Sequence, residues 1–150
     1  MNLKTMAIEK LSARLMEIVS ALPLHPGVRV LEIGCGPGAA ARAIVKAVDE
    51  SYVLGIDRSE KAIRQAIKSS GAELASGRLS FRQVAVEEFV LAEGEPLFDI
   101  AFAVRVGVLD GRHPQNEVLA LQRIKKALNP GGRVFIDGGD PLLELRLPDV

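Results

Sequence analysis

The chain has 150 residues, 48% hydrophobic and 25% charged, which suits one globular domain (residues 1–150) burying about two thirds of its unfolded surface. Its 19 basic and 19 acidic side chains cancel, so no basic excess steers it onto nucleic acid or an anionic membrane, and 4% aromatics without tryptophan argue against a base-stacking platform. A single cysteine, Cys35, excludes an internal disulfide and a cysteine-clustered metal site, and no metal is expected.

From the N-terminus, Leu3, Met6, Ala7, Leu11, Leu15, Ile18, Val19 and Leu22 recur at three- and four-residue steps, which predicts an amphipathic helix over about 3–22. Pro23 and the turn His25-Pro26-Gly27 end it. It either packs on a sheet or covers a ligand pocket as a lid. Lys4, Glu9, Lys10, Arg14 and Glu17 break its apolar character, so it is no signal peptide, and no apolar run reaches membrane-spanning length. No membrane partner and a cytoplasmic location are the expectations.

Strands and helices then alternate. Strands are predicted over 28–33, 52–56, 79–84, 98–104 and 133–137, and helices over 39–48, 59–70 and 114–128. Ser59 is the expected N-cap of the second of these helices, and Asn129-Pro130-Gly131-Gly132 stops the third. Gly71 and Gly77 bracket a loop or short turn, and a short helical piece is expected over 87–91. Such alternation implies right-handed crossovers and an α/β fold, a doubly wound, mostly parallel Rossmann-like sheet in three layers.

The most informative stretch is Val30-Leu31-Glu32-Ile33-Gly34-Cys35-Gly36-Pro37-Gly38, an apolar run that breaks into three glycines just before a helix. Glycine admits positive φ and removes the Cβ, so a ligand can reach bare backbone at a helix N-terminus. Asp57 closes the next strand, where a carboxylate can accept hydrogen bonds from both hydroxyls of a ribose. Two cofactor classes fit this plan. Gly34-x-Gly36-x-x-Ala39 satisfies the dinucleotide spacing of an NAD-binding domain. Pro37, however, removes an N–H where a pyrophosphate would sit, and the chain has no room for a second mononucleotide half. Glu32 beside the glycines suits the cationic end of a ligand, or is a structural carboxylate.

Residues 30–38 resemble the first motif of class I S-adenosylmethionine-dependent methyltransferases. Gly55-Ile56-Asp57-Arg58-Ser59 with Ala62 and Ala66 is similar to that family's second segment, Phe98-Asp99-Ile100 to its fourth-strand motif, and residues 128–134 to the segment before its fifth strand. The resemblance covers roughly 28–137 and implies S-adenosylmethionine as cofactor. On its pattern Glu32, Gly34, Cys35, Gly36 and Gly38 belong to the loop at the methionine part, Asp57 to the ribose and Arg58 to the adenine. Ala85 stands where the family often has an acid toward the adenine amino group, leaving the Val86 backbone or Glu87 to serve. Ala103, Val104 and Arg105 would lie beside the methionine end and the substrate.

The implied reaction is in-line displacement at a sulfonium methyl, for which a protein mainly supplies proximity and orientation. Asp110 and His113 are the candidate general bases, with Asp137 and Asp140 behind them. His113 is equally readable as a surface or helix-start residue. Arg105 either holds a substrate carboxylate or pairs with a nearby acid, and Cys35 reads as a small buried side chain. The expected function is methylation of a small molecule. The alternative is a non-catalytic S-adenosylmethionine-binding subunit, supported by Ala85 and a short C-terminus.

Members of that family usually add an antiparallel hairpin after the fifth strand. Here residues 142–147 alternate apolar and charged, enough for a short strand or a helix turn but not for a full hairpin. The fifth strand is therefore expected to present an open apolar edge, covered by a second copy or by an exchanged tail in a homodimer.

Overall fold

The computed structural model describes residues 11–109, 111 and 113–149. The first turns of the expected N-terminal helix and the candidate base Asp110 lie outside these residues. Helix α1, Ala13–Ala21, opens where the Ser12 hydroxyl accepts the Leu15 N–H at 3.1 Å, and it buries Ile18 and Val19. No helix among the described residues is long and apolar enough to cross a membrane.

Strand β1 (Arg29–Ile33) is followed by α2 (Ala39–Ala47), β2 (Tyr52–Asp57), α3 (Glu60–Ser69) and α4 (Gly71–Ala75). Strand β3 (Leu79–Gln83), a 3₁₀ turn (Val86–Glu88), β4 (Phe98–Ala103) and a second 3₁₀ turn (Gly107–Leu109) come next. Helix α5 (Pro114–Ala127), β5 (Leu128–Ile136) and β6 (Leu143–Leu145) complete the described fold. As expected, the Ser59 hydroxyl caps α3, accepting the Ala62 N–H at 3.1 Å. The six-stranded sheet has the order β3-β2-β1-β4-β5-β6; neighbours from β3 to β5 run parallel, and β6 runs antiparallel to β5.

The alternation of side chains along each strand sorts the core into two clusters. Val30, Val53, Phe102 and Phe135 pack with Val19 of α1 and with Ala40 and Ile44 of α2. Leu31, Ile56, Ala101 and Val134 pack on the other face with Ile124 of α5 and Phe89. Helices therefore cover both faces, and a parallel sheet needs both covered because its strands are apolar on each side.

Four details depart from the sequence reading. The expected loop after Gly71 is helix α4, since Leu74 packs on the α2 face and the 8%-exposed Glu73 meets Lys46 Nζ of α2 at 3.3 Å. The helical piece expected over 87–91 is the shorter 3₁₀ turn, beyond which Phe89 drops into the core. Strand β5 begins at Leu128, not Arg133: Leu128 pairs with Phe98, the register shifts, and pairing resumes at Ile100 and Arg133. The Asn129–Gly132 stretch stays on the sheet because Asn129 Nδ2 donates to Asp99 Oδ1 at 3.0 Å.

The fourth departure concerns the edge. Strand β5 is not open, because β6 of the same chain covers it, pairing Leu145 with Val134, Glu144 with Phe135 and Leu143 with Ile136. Arg133 Nη2 meets Glu144 Oε1 at 2.7 Å across this pair. The tail therefore settles on its own chain, and the premise of an edge awaiting a second copy falls. A single short strand, rather than a hairpin, provides this cover.

Candidate active site

Strand β1 lies between β2 and β4, so chain connections leave it in opposite directions. In such sheets a crevice opens beyond the carboxyl ends of the strands where the order reverses. Gly34, Gly36 and Gly38 form the turn at that point with φ of 68°, 54° and 87°, values glycine adopts freely and other residues rarely do. The turn folds back onto the end of β2: Cys35 N–H donates to Ile56 O at 3.0 Å, and Gly36 N–H to Asp57 Oδ2 at 2.9 Å. A Cβ on Gly34 would stand 2.6 Å from Val106 Cγ2, and one on Gly38 would stand 2.8 Å from Phe81 Cζ. Gly36 has nothing within 4 Å of that position, which leaves its face of the turn open.

Asp57 receives a second backbone donor, the Ser59 N–H, on Oδ1 at 2.9 Å. Each carboxylate oxygen thus spends one lone pair on backbone and keeps another. Glu32, one strand-face behind the turn, is 5% exposed, and its Oε1 has no hydrogen-bond partner. Burial above all, and then the Asp57 charge, push its carboxyl up to about 8, against the lowering pull of the Ala41 N–H and Arg42. The Cys35 thiol is pushed up too, chiefly by burial and then by Glu32 and Asp57, so it stays protonated and unreactive.

In front of the turn lies a cavity of about 320 Å³. Gly34 lines it. Asp57, Arg58, Ala85, Val86 and Glu87 form one side, and Val104, Arg105 and His113 the other. These are nine of the residues singled out from the sequence, brought to one place by the ends of four different strands. Glu32, Cys35, Gly36 and Gly38 belong to the turn and its backing rather than to the cavity wall. Ala103 is a correction: it is 2% exposed and sits in the core on the α5 face, where the strand alternation directs it.

Asp137 is also not in the wall. Its Oδ1 accepts the Arg105 N–H at 3.2 Å, and its Oδ2 lies 3.8 Å from Arg14 Nη2 of α1. Asp140 is exposed and does not line the cavity. Asp99 sits at the opposite end of the sheet, with Oδ2 accepting the Arg29 N–H at 2.9 Å; its task is structural.

Sequence reasoning missed Val106, Val108 and Asn116, which complete the wall beside Arg105. Asn116 carried a readable signal, since three residues after His113 in the first turn of a helix places both on one face. The two valines carried none. They reach the cavity because Arg105 adopts φ 58°, unusual for a residue with a side chain, and turns the chain back over Gly34. Such a conformation costs about 1–2 kcal/mol and persists only where its surroundings hold it, here through the Asp137 bond.

A fold and site of this kind define a nucleotide-type α/β domain. Residues 24–146 match the family model described as a methyltransferase domain, and the chain belongs to that family, the class I S-adenosylmethionine-dependent methyltransferases. An O-methyltransferase of Pyrenophora dematioidea is 32% identical over 146 residues, covering 97% of this chain and 51% of the relative. A ubiquinone biosynthesis O-methyltransferase of Rhizobium etli is 35% identical over 117 residues, covering 78% of this chain and 43% of the relative. The chain thus spans about half the length of the curated relatives it matches.

Among solved structures, a methyltransferase of Thiobacillus denitrificans in complex with S-adenosyl-L-homocysteine matches with TM-score 0.65 and 23% identity, over 84% of this chain and 48% of that one. This is a likeness of fold. The [4+2]-cyclase SpnF matches with TM-score 0.66 and 26% identity, over 82% and 43% of the two chains.

Proposed function

We propose that this chain binds S-adenosylmethionine in the cavity before Gly34 and transfers its methyl group to an oxygen nucleophile of a small molecule. The carrying observation is the Asp57 carboxylate, fixed by the Gly36 and Ser59 N–H groups at the edge of that cavity with acceptor capacity to spare. The residues present suit the cofactor on their own chemistry. Two acids, Asp57 and Glu32, stand at the turn, and the orphaned Glu32 oxygen favours a positively charged ligand end. The open face of Gly36 admits a ligand against backbone.

In this reading Asp57 binds the ribose hydroxyls and Arg58 flanks the adenine. Val86 and Glu87 open a 3₁₀ turn, so their N–H groups make no bond within it and can meet the adenine edge, in place of the acid absent at Ala85. When bound, the cofactor supplies a methyl made electrophilic by its sulfonium. The protein holds the acceptor oxygen in line with it, and the apolar Val104, Val106 and Val108 keep water from competing. His113, at the far rim, takes the hydroxyl proton as the oxygen is alkylated. Oxygen is chosen over nitrogen or carbon because the relatives above carry the name O-methyltransferase.

Incubation with S-adenosylmethionine labelled in the methyl group and a panel of hydroxylated small molecules tests this by mass spectrometry. A labelled O-methyl ether formed together with S-adenosylhomocysteine is the expected product, with kcat reduced about 10²–10⁴-fold in His113→Gln. Cofactor binding without product from any acceptor would favour the non-catalytic alternative.

A further inference from the structure

The cavity has two chemically different ends. Both of its carboxylates, Asp57 and Glu87, stand on the β2–β3 side, while the β4 side carries Arg105, His113 and Asn116 and no acid among the described lining residues. Arg105 is exposed, and among the described residues its guanidinium makes no hydrogen bond or ion pair. Asp137 engages the Arg105 backbone N–H and the Arg14 side chain instead of the guanidinium. Among the described residues no acid neutralises the Arg105 guanidinium, which leaves its donors facing the cavity.

The backbone adds an independent observation. Arg105 occupies the left-handed region, φ 58°, at the point where β4 ends. Asparagine or glycine would meet that geometry with less strain, yet the position carries a long cation directed to the cavity wall. A planar guanidinium with free donors recognises carboxylates in a two-pronged manner.

We infer that Arg105 is a specificity residue that binds a carboxylate on the methyl acceptor, so that the substrate is a hydroxylated organic acid. The inference rests on the methyltransferase reading above and extends it to substrate class. Asn116 donates a further hydrogen bond from its amide, and His113 remains for the hydroxyl.

The test uses the protein saturated with S-adenosylhomocysteine and two probes of equal shape, benzoate and benzamide. The Arg105 Nε–H resonance, assigned by its loss in Arg105→Lys, should shift saturably with benzoate and remain still with benzamide at equal concentration. No saturable shift with benzoate, or an equal shift with benzamide, overturns the inference while leaving the methyltransferase reading intact. A cofactor carboxylate is the competing source of the same chemistry. Arg105→Gln should therefore change S-adenosylhomocysteine affinity less than threefold while abolishing the benzoate response, and a tenfold loss of cofactor affinity would assign Arg105 to the cofactor and overturn the inference. Failure of the wild-type protein to bind S-adenosylhomocysteine would overturn the underlying reading and this one with it. Thermal unfolding of both variants within a few degrees of wild type shows that the responses report binding rather than folding.

Discussion

The Gly36 N–H donates to Asp57 Oδ2 at 2.9 Å, tying the glycine turn after β1 to the acid that ends β2. The bond makes one rigid unit of two features that are far apart in sequence. Asp57→Ala removes it together with the Ser59 N–H contact and the proposed ribose acceptor. Cofactor affinity should fall by about 1.5–3 kcal/mol, the range for a lost charge-assisted hydrogen bond. Calorimetric titration of the variant measures this, and an unchanged affinity would mean the ribose lies elsewhere.

Glu32 predicts a pH dependence of stability. Its carboxyl titrates at 4.5 when unfolded and at about 8 in the folded chain. Between these values the native state holds a proton that the unfolded state has released, so stability falls as pH rises from 4.5 to 8 and levels off above. The loss is on the order of a few kcal/mol. Denaturant unfolding at pH 5, 6.5 and 8 should reveal that slope, and Glu32→Gln should flatten it. A variant with the wild-type slope would remove Glu32 as its source. A cationic ligand favours ionised Glu32, so cofactor binding near pH 7 should also release a proton, seen as a buffer-dependent heat.

The three turn glycines should not be equivalent. Gly36→Ala meets only backbone strain at φ 54°, about 1–2 kcal/mol, because nothing lies within 4 Å of the new methyl. Gly34→Ala and Gly38→Ala add collisions with the branched Val106 and the ring of Phe81, a further ~1–3 kcal/mol. Equal destabilisation of all three, measured by denaturant titration, would contradict this picture of the turn.

Asp99 predicts the opposite profile to Asp57. It joins the start of β1 to the loop in β5 through the Arg29 N–H and Asn129 Nδ2, remote from the cavity. Asp99→Ala should cost about 2–3 kcal/mol of stability and change S-adenosylhomocysteine affinity less than twofold. A large loss of affinity in a well-folded variant would place Asp99 in the site.

The site was legible in the sequence where backbone geometry dictates residue type. Glycines at positive φ and an acid at a strand end are forced choices, so Gly34, Gly36, Gly38 and Asp57 stood out. Residues 129–132 were read as a break and 133–137 as a strand, because Pro130 and Gly131 interrupt the pattern. Asn129 keeps that stretch attached to the sheet through a partner on β4, which no local signal reveals. Ala103 was misplaced because its face depends on strand register, and a one-residue difference sends a side chain to the opposite layer. Strand β6 could not be assigned as cover for β5, since alternation alone does not say which edge a segment pairs with. Val106 and Val108 depend wholly on the turn at Arg105, a conformation no side chain of that type announces.

The central claim is that the cavity before Gly34 is an S-adenosylmethionine site. Isothermal titration of the chain with S-adenosylhomocysteine and, separately, with NAD tests it most directly. The account predicts saturable one-to-one binding of S-adenosylhomocysteine that Asp57→Ala weakens, with no heat of binding from NAD. Absence of S-adenosylhomocysteine binding by the folded protein, or equal binding of NAD, would contradict it.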